Sequence, residues 1–221
     1  LEAALQITED IGGEVTLLTI GPEKAAESLR KGLAMGAHKA IHVKYDDAKQ
    51  TDSFAYARIL QKVLEGREYD LILAGKQSQD TDAGLTAPML AEFLSLPQVT
   101  NIIRYSDVSD QKMTLYRKGD HATEVLEMEL PGVVTVNDSL NEPRLASMRG
   151  IMMAKKKPLE EIELDAIGIS AEMSGAQGSM TEVLQYDKPE SRKEGKSFEG
   201  DETDTVKQAI DLLVSDAKFL V

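Results

Sequence analysis

Cysteine is absent from this 221-residue sequence. That excludes disulfides, thiolate metal sites and a cysteine nucleophile, and it fits a reducing compartment. Histidine is nearly absent too. His38, His42 and His121 are scattered without metal-ligand spacing, so no metal site is expected. No apolar run reaches the eighteen or so residues of a membrane span, so no membrane insertion is expected. Nor is there a serine–histidine–aspartate order in a plausible context, and no catalytic residue is assigned. Basic residues are outnumbered, 25 against 38 acidic, for a net charge of -13. Nucleic acid is therefore a poor partner for this surface.

What is present is enough for a core, since 42% of residues are apolar. The charge is uneven. Residues 158–221 carry 15 acids and 6 bases, a net of -9, and the preceding 157 residues carry 23 and 19, a net of -4. A division near Pro158 follows, giving a body over 1–157 and an acidic arm with a closing helix over 158–221. The first five residues, LEAAL, read as the middle of a helix, without a signal-peptide pattern.

Residues 14–20 (EVTLLTI) are apolar on both faces, as in a buried parallel strand. Gly21-Pro22 ends it, and Ala25, Ala26, Leu29 and Leu33 repeat at helical spacing up to Gly36. A short strand over 40–43, a helix after the cap candidate Asp52 and a strand over 70–74 complete a strand–helix–strand–helix–strand rhythm. This predicts an α/β fold with a doubly wound, mostly parallel sheet. After Val99 the rhythm changes to a hairpin (113–117 and 124–130, around Gly119-Asp120) and a further strand over 133–137. Residues 139–157 read as irregular and polar, 170–203 as an extended arm, and 205–220 as an amphipathic helix with Val206, Ile210, Leu213 and Leu220 apolar.

Two stretches carry chemistry. The first is GKQSQDTDAGLT, residues 75–86, between the third strand and the helix over 87–94. Ligands of open α/β sheets bind outside the carboxyl ends of the strands, where this loop lies. Its amides and the next helix N-terminus suit phosphate, with Lys76 as cation and Ser78 and Thr86 as hydroxyls. It is neither a Walker loop nor GxGxxG, and on spacing alone an ordinary polar strand–helix turn fits better. Asp80 and Asp82 in such a loop cap helices or face water more often than they hold metal. The second stretch is LNEPRLASMRGIMMAKKK, residues 140–157, where Met148, Ile151, Met152 and Met153 interrupt a charged segment. They either tuck into a local core or form an adaptable partner surface. With no catalytic constellation, a bound cofactor must do any chemistry.

These stretches resemble the electron-transfer flavoprotein β-subunit family. The resemblance rests on TIGP (19–22), LRKGLAMGA (29–37), GKQ (75–77), LPQVT (96–100) and LPGVVTV (130–136). Its most specific part is NEPR (141–144) followed by GIM (150–152) and AKKK (154–157). It implies a Rossmann-like, adenine-nucleotide-binding domain in a heterodimer. There the α subunit holds most of a redox-active FAD and the β subunit buries a structural AMP, or a second FAD in electron-bifurcating relatives. Carried over by residue, the nucleotide contacts map to Ile20, Gly75, Lys76, Gln77, Ser78, Gln79, Asp80, Thr81, Asp82, Ala83, Gly84, Leu85 and Thr86. The family's recognition loop maps to 139–157, with Asn141, Glu142, Pro143, Arg144, Met148, Arg149, Ile151 and Met152 as partner contacts and Met148 as the apolar anchor. The acidic arm is expected to wrap the α subunit.

The resemblance also marks departures. The family's first strand, its following loop and the start of the next helix are absent from this sequence, a piece that normally completes the sheet and contributes to the nucleotide pocket. Leu85 stands where Gln is frequent, Ala87 where Gly is frequent, and Lys118 with Asp120-His121 replaces an acidic-then-Gly hairpin. Thr86 matches the AMP-binding subunits, and residues 157–168 are similar to carriers paired with bacterial amine dehydrogenases. The implied function is an electron carrier subunit, not a self-contained enzyme. It would take electrons from flavin dehydrogenases of acyl-CoA or amine type and pass them to a quinone-reducing acceptor, in the cytoplasm or, in a eukaryote, the mitochondrial matrix. A bifurcating NADH-oxidising subunit and a free-standing nucleotide-binding regulator are the alternatives.

Overall fold

Apolar residues in the first half alternate between two helix-covered faces, and the chain folds accordingly. The computed structural model describes residues 1–46, 50–189 and 195–215. They divide into two compact units, Leu1–Glu182 and Val183–Val221.

The first unit opens with helix α1 (Glu2–Ile11) and strand β1 (Thr16–Gly21), followed by α2 (Ala25–Met35), β2 (Lys39–Lys44), α3 (Ser53–Leu64) and β3 (Leu71–Gly75). Then come α4 (Thr86–Leu94), β4 (Gln98–Ser106), the hairpin β5 (Lys112–Lys118) and β6 (Thr123–Glu129), and β7 (Gly132–Val136). A short helix α5 (Met148–Ala154), β8 (Leu159–Glu163) and a one-turn helix α6 (Gly175–Gly178) follow. The fold is α/β, with strands in the order β1-β2-β8, all parallel, and β3-β7-β4-β5-β6, parallel except for the hairpin.

Alternation along each strand assigns the layers. Leu17, Ala40 and Leu159 pack with Leu29 and Leu33 of α2 and Ala154 of α5. The intervening Leu18, Ile20, Ile41, Val43 and Ile162 pack with Ile59 and Val63 of α3. In the second sheet Ile72, Ala74 and Val133 meet α4, while Leu71, Leu73 and Val134 lie with Ile7 of α1. Thus α1 covers one face and α3 with α4 the other, α3 and α4 being joined by an edge-to-face contact of Phe54 and Phe93 at 5.4 Å. Two histidines tie down β1: Val15 N donates to His38 Nδ1 at 3.0 Å, and His42 Nε2 lies 3.0 Å from Gly21 O.

Several sequence expectations change in detail. Strand β4 interrupts its own alternation. Asn101 sits at φ 60° and the register shifts between Ile102 and Arg104, so no clean period marks it. Asn101 stabilises this irregularity, its amide donating to Thr135 Oγ1 at 2.9 Å and its side chain to Lys118 O at 2.8 Å. The stretch expected to be irregular contains α5, whose Ser147 cap accepts from Gly150 N at 3.0 Å. Residues 159–163 add as an edge strand to β2, so the compact unit continues past Pro158. Asp52 caps α3 through Ala55 N at 3.0 Å, and its second oxygen accepts from Met180 N at 2.8 Å and Thr181 N at 3.0 Å, bolting the start of the arm to that helix.

In the second unit residues 183–189 form no regular element, with Leu184 and Tyr186 exposed. Helix α7 (Glu202–Ser215) presents Val206, Ile210, Leu213 and Val214, all exposed. Leu220, expected on the same stripe, lies outside the described residues. Among the described residues no helix is long and apolar enough to cross a membrane.

Candidate functional site

The turn after β3 is built by its own polar side chains. Lys76 N donates to Val136 O at 2.9 Å, continuing the β3–β7 ladder one residue into the loop. Asp82 N then donates to Ser78 O at 3.0 Å, Ser78 Oγ lies 2.9 Å from Thr81 Oγ1, and Gln77 Nε2 donates to the Asp82 carboxylate. Asp80 accepts from Thr81 N at 2.9 Å, and hydrogen bonds from Ser78 and that amide hold its carboxyl below the ordinary range. Both acids are therefore engaged in shaping the turn. Asp82 at φ 52° and Gly84 at φ 62° reverse the chain into α4. A Cβ on Gly84 would stand 3.4 Å from Lys76 O and carry that positive φ besides, which is why glycine suits it.

The loop leads into a nine-residue helix with no side-chain cap and with Pro88, which has no N–H, in its first turn. First-turn residues Thr86 and Ala87 both line a cavity of about 1680 Å³. So do Gly75, Lys76, Gln77, Ser78, Thr81, Ala83, Gly84 and Leu85. Gln79, Asp80 and Asp82 do not, and Ile20 packs instead into the core against α3. The cavity continues between β1 and β3, lined by residues 16–19 and 71–75, with Ala4 and Ile7 of α1 on one face and Leu60 of α3 and Leu90 of α4 on the other. Each of these strands is the end strand of its sheet. The gap between the sheets is thus flanked by two strand edges and covered by helices on both faces.

The second stretch stands out from the body. Leu145 is 94% exposed, Met148 77% and Met152 70%, and Ile151 and Met153 are also exposed. These side chains do not form a local core. The segment is fastened at both ends by residues that are not neighbours in sequence. Arg144 donates to Glu2 through its backbone N (3.1 Å), Nε (2.8 Å) and Nη2 (2.9 Å), and to both oxygens of Glu9. At the far end Arg30 Nη1 donates to Ala154 O (2.8 Å) and Lys157 O (3.0 Å). Lys157 Nζ in turn donates to Leu33 O, Gly36 O and Ala37 O at the carboxyl end of α2. Of the lysine triplet, then, Lys155 and Lys156 are exposed and Lys157 is a structural cap.

Gly150 lets α5 lie against α2, since a Cβ there would fall 2.3 Å from Ala34 O. Gly150→Ala is expected to push α5 outward and destabilise the fold by about 1–3 kcal/mol, as overpacking does. Denaturant midpoints measure it, and an unchanged midpoint would mean that α5 moves away freely. Glu2, Glu9, Arg30 and Gly150 were not legible as site residues. The acids of α1 are two helical turns apart, a spacing that places both on one face, but nothing local points to Arg144.

The strand-end cavity, its loop and the exposed apolar projection belong to one α/β domain of Rossmann-like fold. Sequence comparison makes the assignment particular. The electron transfer flavoprotein domain family matches residues 1–167. Relatives named electron transfer flavoprotein subunit beta include that of Bacillus subtilis (strain 168), 35% identical over 221 residues, 100% of this chain and 84% of the relative. That of Mycobacterium leprae (strain TN) is 39% identical over 224 residues (97% and 82%). That of Mycobacterium bovis (strain ATCC BAA-935 / AF2122/97) is 41% identical over 193 residues (83% and 71%). The chain belongs to the electron transfer flavoprotein family and is similar to its β subunits throughout.

Proposed function

We propose that this chain is the β subunit of a heterodimeric electron carrier that binds one AMP in the strand-end cavity and docks flavin dehydrogenases through residues 139–157. The observation that carries the reading is the junction of the 75–86 loop with the uncapped first turn of α4 on one cavity wall. An anionic phosphate suits helix amides, which carry the positive end of the helix dipole, and Lys76 adds a cation. The cavity exceeds the roughly 300–1,000 Å³ of a single-ligand pocket. The surplus lies between the edges of β1 and β3, the end strands of the two sheets. FAD, held mainly by the α partner, supplies one-electron redox chemistry, and the acidic arm and α7 bind that partner. A cytoplasmic location and a quinone-reducing acceptor complete the reading.

Acid release of nucleotides from the co-purified heterodimer, followed by mass spectrometry, tests it. One FAD and one AMP per heterodimer are expected. Two FAD without AMP would replace this reading by an electron-bifurcating one. A compact monomer with no partner would overturn the carrier function.

A further inference from the structure

From residue 144 to residue 157 the chain holds five basic residues and no acid, on a protein of net charge -13. Within that basic strip Leu145 projects at 94% exposure, immediately after the guanidinium clamped by Glu2 and Glu9. An isolated leucine this exposed contributes nothing to the core, yet the backbone at its base is held on both sides. One side of the base is the fork of Arg144 on two carboxylates, and on the other Ser147 caps α5. Rigid support of an exposed apolar side chain lowers the ordering cost of burying it in a partner.

We infer that Leu145 is a second apolar anchor beside Met148, that Arg144 is its positioning residue, and that the occupant is an apolar depression rimmed by acidic groups on the dehydrogenase. The inference rests on the docking reading of residues 139–157. Charge complementarity selects the occupant, because exposed Arg149, Lys155 and Lys156 border the anchors and meet no local acid in the strip. Those cations act mainly on encounter rate, and the anchors act on the lifetime of the complex. Four of the five guanidinium N–H groups of Arg144 donate to Glu2 and Glu9 of α1, so it acts through the backbone it fixes.

The test uses the intact heterodimer, reduced by whichever purified acyl-CoA or amine dehydrogenase reduces the wild type, with Leu145→Ala, Arg144→Met, both together, and Met148→Ala. Leu145→Ala is expected to raise KM for the dehydrogenase roughly tenfold with kcat nearly unchanged. Arg144→Met should also raise KM, and adding Leu145→Ala to it should change KM less than twofold, because an unpositioned leucine has little left to lose. A merely structural Arg144 would leave the two effects multiplicative, and that result overturns the positioning role. An unchanged KM in Leu145→Ala overturns the second anchor, and this variant needs no clamp residue altered in order to fold. If Met148→Ala raises KM while Leu145→Ala does not, the inference fails and the docking reading stands. If neither does, the docking reading fails with it.

Discussion

Glu2→Gln is expected to flatten the acid limb of the stability curve between about pH 4.5 and pH 2. Glu2 is buried at 7% exposure, and hydrogen bonds from Arg144 outweigh that burial, lowering its pKa from 4.5 to about 2. A carboxyl depressed in the folded state stabilises it fully above the unfolded value and loses that contribution as pH falls through the folded value. Two to three pKa units at about 1.36 kcal/mol each correspond to on the order of 3 kcal/mol. Glutamine keeps the shape but not the charge, so the variant should be less stable near neutrality and nearly insensitive to pH across that window from this site. Glu9 is held in the same direction by the same arginine but is exposed, so it screens well and adds little. Denaturant midpoints at pH 7, 4 and 3 for both proteins measure the difference. Parallel curves would show that the Glu2–Arg144 pair does not set acid stability.

Met148→Ala should weaken dehydrogenase-dependent reduction of the heterodimer while leaving flavin content and stability unchanged. Met148 is 77% exposed at the first turn of α5, so removing its side chain opens no cavity, and a surface change of this kind alters stability by about 0.5 kcal/mol or less. An anchor that enters a partner pocket behaves differently. Its truncation costs about 2 kcal/mol at a hot spot, roughly thirtyfold in affinity. Salt should reduce the encounter rate in both proteins through Arg149, Lys155 and Lys156, so the ratio between them should persist as ionic strength rises. Loss of thermal stability with intact electron transfer would return Met148 to a structural role.

The parts of the fold legible from sequence were those in which local signals agree. Gly21-Pro22, Asp52 and Gly36 each mark an element end by a mechanism that acts within a few residues, and the elements they bound are β1, α3 and α2. The hairpin is similarly local. Strand β4 was not legible because a left-handed Asn101 and a bulge break its period. Helix α5 was hidden because Gly150 weakens the helical pattern at the point where contact with α2 demands a missing side chain. The lysine triplet reads as one solvated face, but three carbonyls at and just beyond the carboxyl end of α2 accept from Lys157.

By itself the sequence determined the α/β class, the order of most elements, the loop over 75–86 and the family, because each rests on periodicity, turn chemistry or motif order within short windows. The tertiary structure decided which of those features share a site. It brought β1 and β3 to opposite sides of one cavity, spent Asp80 and Asp82 on the turn, and turned Leu145, Met148 and Met152 outward on a base clamped by residues 135 to 142 positions away. Such pairings depend on chain reversals whose register is set by core packing of whole layers. No local window of sequence contains that information.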